Sequence, residues 1–243
     1  MINVKKVLAA LSLTLLLTSS SLYAAQEMQK SASKLLKESY NYLGSMQKYA
    51  FKATVNNDIH EDGTVISEKR TSDVKVQRPD KFRVDTKSDH INRTVYLSNG
   101  QFTMIDNDEK YYASVHKTGA SIDTALQYIS KKLGVVLPLS TLIHSDMNKF
   151  IHPSRVQYFG TEVLSGVECN YIAFRQGTTT VHLWVENSDR PLIHAAKIIT
   201  DAKNYKGTTD MIIKWNTNPD FSDSSFVFKA PKGASNVSIK PVK

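Results

Sequence analysis

Seven histidines, at positions 60, 90, 116, 144, 152, 182 and 194, are the side chains of this sequence best suited to proton transfer or metal binding. No two of them stand as HxH or within HExxH, the short spacings that bring two imidazoles onto one metal ion. His144 and His152 flank Asp146, and this pair reads as belonging to an exposed loop. His144, Ser145 and Asp146 supply the three residue types of a hydrolytic triad. Neighbours in sequence do not converge on one substrate by themselves, however, and no GxSxG elbow occurs. The carboxylates are scattered through turn-like stretches: Glu61-Asp62, Asp106, Asp108-Glu109, Glu186 and Asp189. Two of them could meet in space as an acid/base pair, but solvated turn residues are the simpler reading. Neither glycine-rich phosphate-binding pattern is present. The sequence therefore predicts no catalytic residue, no metal site and no cofactor, so the protein is expected not to be an enzyme.

Composition narrows the classes further. The chain has 243 residues, 31 Lys+Arg against 23 Asp+Glu, and a net charge of +8. Its basic excess is dispersed in pairs such as Lys69-Arg70 and Lys131-Lys132, with no aromatic-interleaved basic block, so no nucleic-acid partner is expected. Mild basicity allows at most peripheral contact with an anionic membrane surface. A single cysteine, Cys169, excludes an intrachain disulfide framework and a CxxC redox pair. It lies in the alternating pattern Val167, Cys169, Tyr171, Ala173, which predicts a buried thiol.

The opening MINVKKVLAALSLTLLLTSSSLYAAQ has the parts of a secretory signal: Lys5 and Lys6, an apolar stretch from Val7 to Leu17, then small and polar residues. The expectation is a signal peptide over 1–24, cut after Ala24, with Ala25 to Lys243 exported. No cysteine follows the apolar stretch, so no lipobox is expected.

The elements that would have to position any site follow from periodicity. Residues 26–47 place Met28, Ala32, Leu35, Leu36, Tyr42, Leu43 and Met46 on one helical face, with Ser39 in its middle and Tyr40 at its edge. From Tyr49 the period changes to two, and six short strands separated by tight turns run to Val115. A helical insertion over about 121–150 follows. Ser121 caps its first helix, Gly134 ends it, and Pro138 opens a second short apolar helix. Strands resume at Val156 and continue to Trp215, with a last short one predicted at Phe226 to Phe228. Tight turns require antiparallel pairing, and a sheet of this length must curl. The two helical regions are too apolar on one face to stand alone and should cover its concave side. One domain, 25–243, is expected, mainly β with α.

Several runs carry a resemblance: RPDKFRVD (Arg78 to Asp85), LGVVLPLSTLIHSD (Leu133 to Asp146), YFGTEVLSGVECNYIAFRQ (Tyr158 to Gln176), LWVENSDRPL (Leu183 to Leu192) and FVFKAPKGA (Phe226 to Ala234). They resemble a family of predicted periplasmic proteins similar in fold to the lipoprotein-localisation carriers LolA and LolB and to the sensor RseB. The resemblance implies a LolA-like half-barrel, an incomplete β-barrel of about 11 strands with helices plugging its open side. It also implies a periplasmic location and a ligand, a lipid, a lipoprotein acyl chain or another amphiphile, held between barrel and helices. The lid face would be Leu126, Ile129, Leu133, Leu137, Leu139, Leu142 and Ile143. The wall would comprise Phe51, Val55, Phe82, Val84, Tyr96, Phe102, Met104, Tyr158, Tyr171, Leu183 and Trp184. Arg175, Arg190 and Asp189, within the family-like runs, could grip a headgroup or form strand-end ion pairs. The alternative reading is an RseB-like sensing module that contacts an envelope protein and carries no lipid. A monomer is expected in either case.

Overall fold

Alternation of apolar and polar side chains makes two long strands, β1 (Lys48–Glu61) and β2 (Thr64–Gln77), which pair antiparallel along their whole length. In the computed structural model, which describes Met28, residues 31–203 and residues 205–239, ten further strands extend this hairpin. Four follow directly: β3 (Lys81–Lys87), β4 (Asn92–Ser98), β5 (Gln101–Asp106) and β6 (Tyr111–Val115). Beyond the helical insertion come β7 (Val156–Leu164), β8 (Val167–Gln176), β9 (Thr179–Glu186), β10 (Ile193–Ala202) and β11 (Tyr205–Asn216). The two-residue β12 (Ser235–Asn236) pairs parallel to β6; every other pairing is antiparallel. The order is β12-β6-β5-β4-β3-β2-β1-β11-β10-β9-β8-β7, so the N-terminal strand sits mid-sheet, against β11. The sheet is not closed into a barrel. It is nevertheless curled: Phe102 of β5 and Ile172 of β8, far apart in strand order, belong to one buried cluster with both helices. The predicted signal peptide lies outside the described residues.

Helix α1 (31–45) buries Ala32, Leu36, Ser39, Tyr40 and Leu43 in the concavity. Tyr40, expected at the edge of the face, is buried beside small Ser39, and Tyr42 is only half-buried. Gly44 explains itself by proximity: a Cβ there would collide with the backbone carbonyl oxygen of Ser145 in the insertion. Gly44→Ala should therefore destabilise by about 1–3 kcal/mol, although the same change on a free helix surface stabilises by about 1 kcal/mol. Urea unfolding of the variant decides the sign.

Helix α2 (Ile122–Leu133) begins with the predicted Ser121 cap. The Ser121 hydroxyl accepts from the Thr124 amide while the Thr124 side chain accepts from the Ser121 amide. It ends at Gly134 in the left-handed conformation, φ 67°. Ile122, Ala125, Leu126, Ile129 and Leu133 face the sheet. The second helix predicted from Pro138 is corrected to a 3-10 turn, Ser140–Leu142, and a separate 3-10 turn, Met147–Lys149, follows it. Leu139 adopts a left-handed φ of 63°, which stops regular helix from running through from Pro138. The strand predicted at Phe226 to Phe228 is likewise a 3-10 turn, Asp223–Phe226, followed by extended chain. Phe228 there packs on Tyr96 and Tyr112 at 5.6 and 4.9 Å between ring centres.

Candidate functional site

The concave face is built from alternate residues of each strand. Phe51, Val55, Phe82, Val84, Phe102 and Leu183 supply its floor, and Leu126, Ile129, Leu133, Leu137, Leu142 and Ile143 come down on it from the insertion. Met104, Leu139 and Tyr158 pack against the same cluster half-buried. Three aromatic residues expected in the wall lie elsewhere. In β4, Val95 and Leu97 point inward, so Tyr96 between them faces outward and receives the Arg83 guanidinium at 5.0 Å and Phe228. In β8 and β9, Ile172 and Phe174 and Leu183 and Val185 hold the inward phase. Tyr171 and Trp184 therefore stack on each other outside, ring centres 4.9 Å apart and 3° from parallel, with Phe159 on the next strand. The period of two places all three outside once one neighbour's direction is known.

Two recesses lie at the junction of sheet and insertion. A groove of about 420 Å³ runs between α2 and the following turns, with Leu126, Ile129, Leu137 and Phe150 as apolar walls and Gln127, Ser130 and Lys131 at its rim. A smaller cavity of about 90 Å³ lies under the insertion, against Val84, Val95 and Met104 of the sheet. Val135, Val136 and Leu137 line both. This stretch, residues 134–137, has neither helix nor strand, and among the described residues its backbone is tied by the Gly134 and Val135 N–H groups, both to the Ile129 carbonyl, and by the Leu137 carbonyl, which accepts from Ser140 (3.3 Å). Val136 is 80 % exposed. A thin apolar strap therefore separates the outer groove from the interior.

Sequence reasoning missed what fastens the turn beyond the strap. Arg78, at the exit of β2, donates through Nε to the Met46 carbonyl (3.1 Å), beyond α1. Its other nitrogens donate to the carbonyls of Ile143 and His144 (both 2.9 Å) and to the Tyr49 hydroxyl (3.2 Å). Tyr49, fully buried, donates onward to the Leu142 carbonyl at 2.9 Å. One planar cation thus joins helix, sheet and insertion. The signal available was its position in the RPDKF turn, but nothing local names carbonyls more than sixty residues away as its partners.

Asp123, at the start of α2, makes the second fastening. Its carboxylate accepts from the Ser145 amide (2.9 Å), from the Ser145 hydroxyl and from His144 Nδ1 (3.1 Å). The serine hydroxyl is committed to the carboxylate, so no serine–histidine nucleophile pair forms, and the His144 ring packs tilted against Phe150, 4.4 Å between ring centres. Burial pushes the Asp123 carboxyl up, but the Ser145 and His144 donors outweigh it and hold it below the usual carboxylate range. Because the folded value is depressed, the stabilisation is fully present above about pH 4, the ordinary value, and is lost as pH falls below it. The urea midpoints of the wild type and Asp123→Asn should differ at neutral pH and converge in acid; a constant difference would refute the assignment.

Other candidates disperse. Cys169 is buried as expected, but on the convex side of the sheet; burial and the carboxylates of Glu186, Glu162 and Glu168 push its thiol up to about 11. It should resist iodoacetamide at neutral pH until the protein is unfolded, which mass spectrometry of the alkylated protein checks. Arg175 caps the Gly177 carbonyl and Arg190 reaches Thr217, so neither approaches the cavities. Among the described residues no cluster of three metal-ligating side chains forms, and no helix is long and apolar enough to cross a membrane.

The model of a family described as predicted periplasmic protein (DUF2092) matches residues 32–240. No curated protein matches the sequence. Among solved structures, an uncharacterized conserved protein from Thermus thermophilus is similar at 12 % identity, with 86 % of this chain and 99 % of that one covered and a TM-score of 0.47. A LolA superfamily protein from Nitrosomonas europaea is similar at 9 % identity, covering 81 % and 97 %, TM-score 0.43. The lipoprotein LppX of Mycobacterium tuberculosis is similar at 12 % identity, covering 80 % and 99 %, TM-score 0.45.

Proposed function

The chain belongs to the family described as predicted periplasmic protein, and from that premise we propose that it is a non-enzymatic carrier or binding protein for a lipid, an acyl chain or another amphiphile in the periplasm. The observation that carries this reading is the strap at residues 134–137, which divides an outer groove from an inner cavity with a largely apolar wall using few backbone bonds. An acyl chain gains about 0.8 kcal/mol for each methylene removed from water. Displacement of the strap by a few ångströms would join the two recesses into one largely apolar channel, and the gain from a chain lying in it would offset the exposure of Val135 and Leu137. The surrounding fastenings at Arg78 and Asp123 keep the rest of the insertion in place while the strap moves.

Native mass spectrometry of protein isolated from the periplasm, followed by organic extraction, tests this reading. A co-purifying acyl-chain species near a one-to-one ratio is the expected result. An unliganded mass that does not increase after incubation with lipids or lipopeptides would overturn it and favour a module that contacts an envelope protein.

A further inference from the structure

Along β2, β3 and β4 the inward-facing side chains change from apolar to polar or charged. On β2 the series runs Val76, Val74, Ser72, Arg70, Glu68, and across it on β3 and β4 lie Phe82, Val84, Thr86 and Leu97, Val95, Arg93. The inner surface therefore passes from hydrocarbon to charge at the end where the smaller cavity opens. Arg70 and Arg93 line that cavity together with Val84, Val95 and Met104.

The two arginines are incompletely used. The Arg70 side chain is only 17 % exposed. One of its nitrogens reaches Glu68 at a long 3.4 Å, and its Nε is buried with no acceptor among the described residues. A guanidinium carries five N–H donors, and an unpaired buried one is costly. Arg93 stands 3.8 Å from the Asp106 carboxylate, an ion-pair distance beyond hydrogen-bond reach. Glu68 accepts also from Ser88, at 3.2 Å, so its carboxylate is shared between the two donors. An oxyanion entering the cavity would meet donors from both arginines while its hydrocarbon lay on Val84, Val95 and Met104.

Resting on the carrier reading, we propose that the ligand is an anionic amphiphile whose phosphate or carboxylate headgroup is held by Arg70 and Arg93 beneath the strap. The chain points away from the charged end, toward the apolar floor. The polarity of the half-barrel thus fixes the direction in which an amphiphile lies, as well as the sign of its head.

Isothermal titration calorimetry with decyl phosphate, decanoate, 1-decanol and inorganic phosphate tests this on the wild type, Arg70→Gln and Arg93→Gln, with circular dichroism confirming each fold. Arg93 is the more exposed, so its substitution leaves a folded protein should Arg70→Gln not fold. Decyl phosphate and decanoate are expected to bind about tenfold or more tightly than decanol, and either substitution is expected to remove most of that preference. Equal affinity for the charged and neutral probes, or a preference that survives both substitutions, overturns the headgroup site and leaves the carrier reading standing. Failure of all three decyl probes overturns the carrier reading itself. Inorganic phosphate binding as tightly as decyl phosphate, and lost in both variants, would identify a free-anion site and overturn the lipid source.

Discussion

Arg78→Ala is expected to lower the unfolding free energy by about 3–5 kcal/mol, because a charged donor set is removed from acceptors that stay buried. Among the described residues the carbonyls of Ile143 and His144, each 2.9 Å from the guanidinium, accept no other hydrogen bond, and the Tyr49 hydroxyl loses its contact at 3.2 Å. For a chain of this length such a loss lowers the melting temperature by roughly 10 °C. The local effect is as informative as the global one. Amides of residues 142–147 should exchange faster by the same free energy, since Arg78 and Tyr49 together hold that turn, while α2 keeps its protection through its own cap and Asp123. Arg78→Lys should recover only part of the loss, since a point charge cannot serve carbonyls on both sides of the planar fork. Unchanged stability, with unchanged exchange at 142–147, would show that Arg78 is no fastening.

Leu137→Glu is expected to open the strap rather than unfold the protein, and to weaken binding of a decyl-chain probe by at least about a hundredfold. Leu137 is 8 % exposed and contributes to both recesses, so an ionised carboxylate placed there would be stranded in hydrocarbon. The cheapest relief is outward movement of residues 134–138, which breaks few backbone bonds. The loss of burial, about 2–3 kcal/mol, is smaller than the cost of disrupting the sheet. Increased binding of a hydrophobic dye, faster exchange confined to 134–139, and a near-normal β-sheet circular dichroism spectrum would together establish the opening. Global unfolding, or unimpaired probe binding in a folded variant, would refute the strap as the gate. The contrasting change Val136→Glu, at a position 80 % exposed, should leave the fold untouched.

How far the sequence reaches depends on the length scale of each interaction. Period-two alternation in Tyr49–Val55, Phe82–Asp85 and Arg93–Leu97 sets strand directions, and the 3.6-residue period of Ile122–Leu133, bounded by Ser121 and Gly134, sets a helix with both caps. These are contacts within a few residues of each other, and backbone geometry dictates them. The same alternation puts Phe51, Val55, Phe82, Val84, Phe102 and Leu183 on one apolar face, which the structure assembles into a single cluster with the insertion. The expected face is wrong at Tyr96, Tyr171 and Trp184. Their size and aromatic character suggest an inward position, although the phase of their own strands places them outward. A convex surface with its own aromatic stack, or with a C-terminal segment laid across it, also buries aromatic area.

Composition and local pattern thus determined an antiparallel sheet, two apolar covering elements and an interior of hydrocarbon. Three things were left to the tertiary structure. The curl of the sheet brings β5 and β8 residues to one core, and it arises from accumulated strand twist and closure over the helices. The convergence of Arg78 on Met46, Ile143 and His144 joins residues from three distant segments, and no local propensity encodes such a meeting. The length of the strap and the charge at its far end acquire meaning only when Val135 to Leu137 lie across β3 to β5, with Arg70 and Arg93 beneath them. Neighbouring residues fix backbone conformation through sterics and hydrogen bonds, whereas a cavity is the space left between elements that only the whole packed chain brings together.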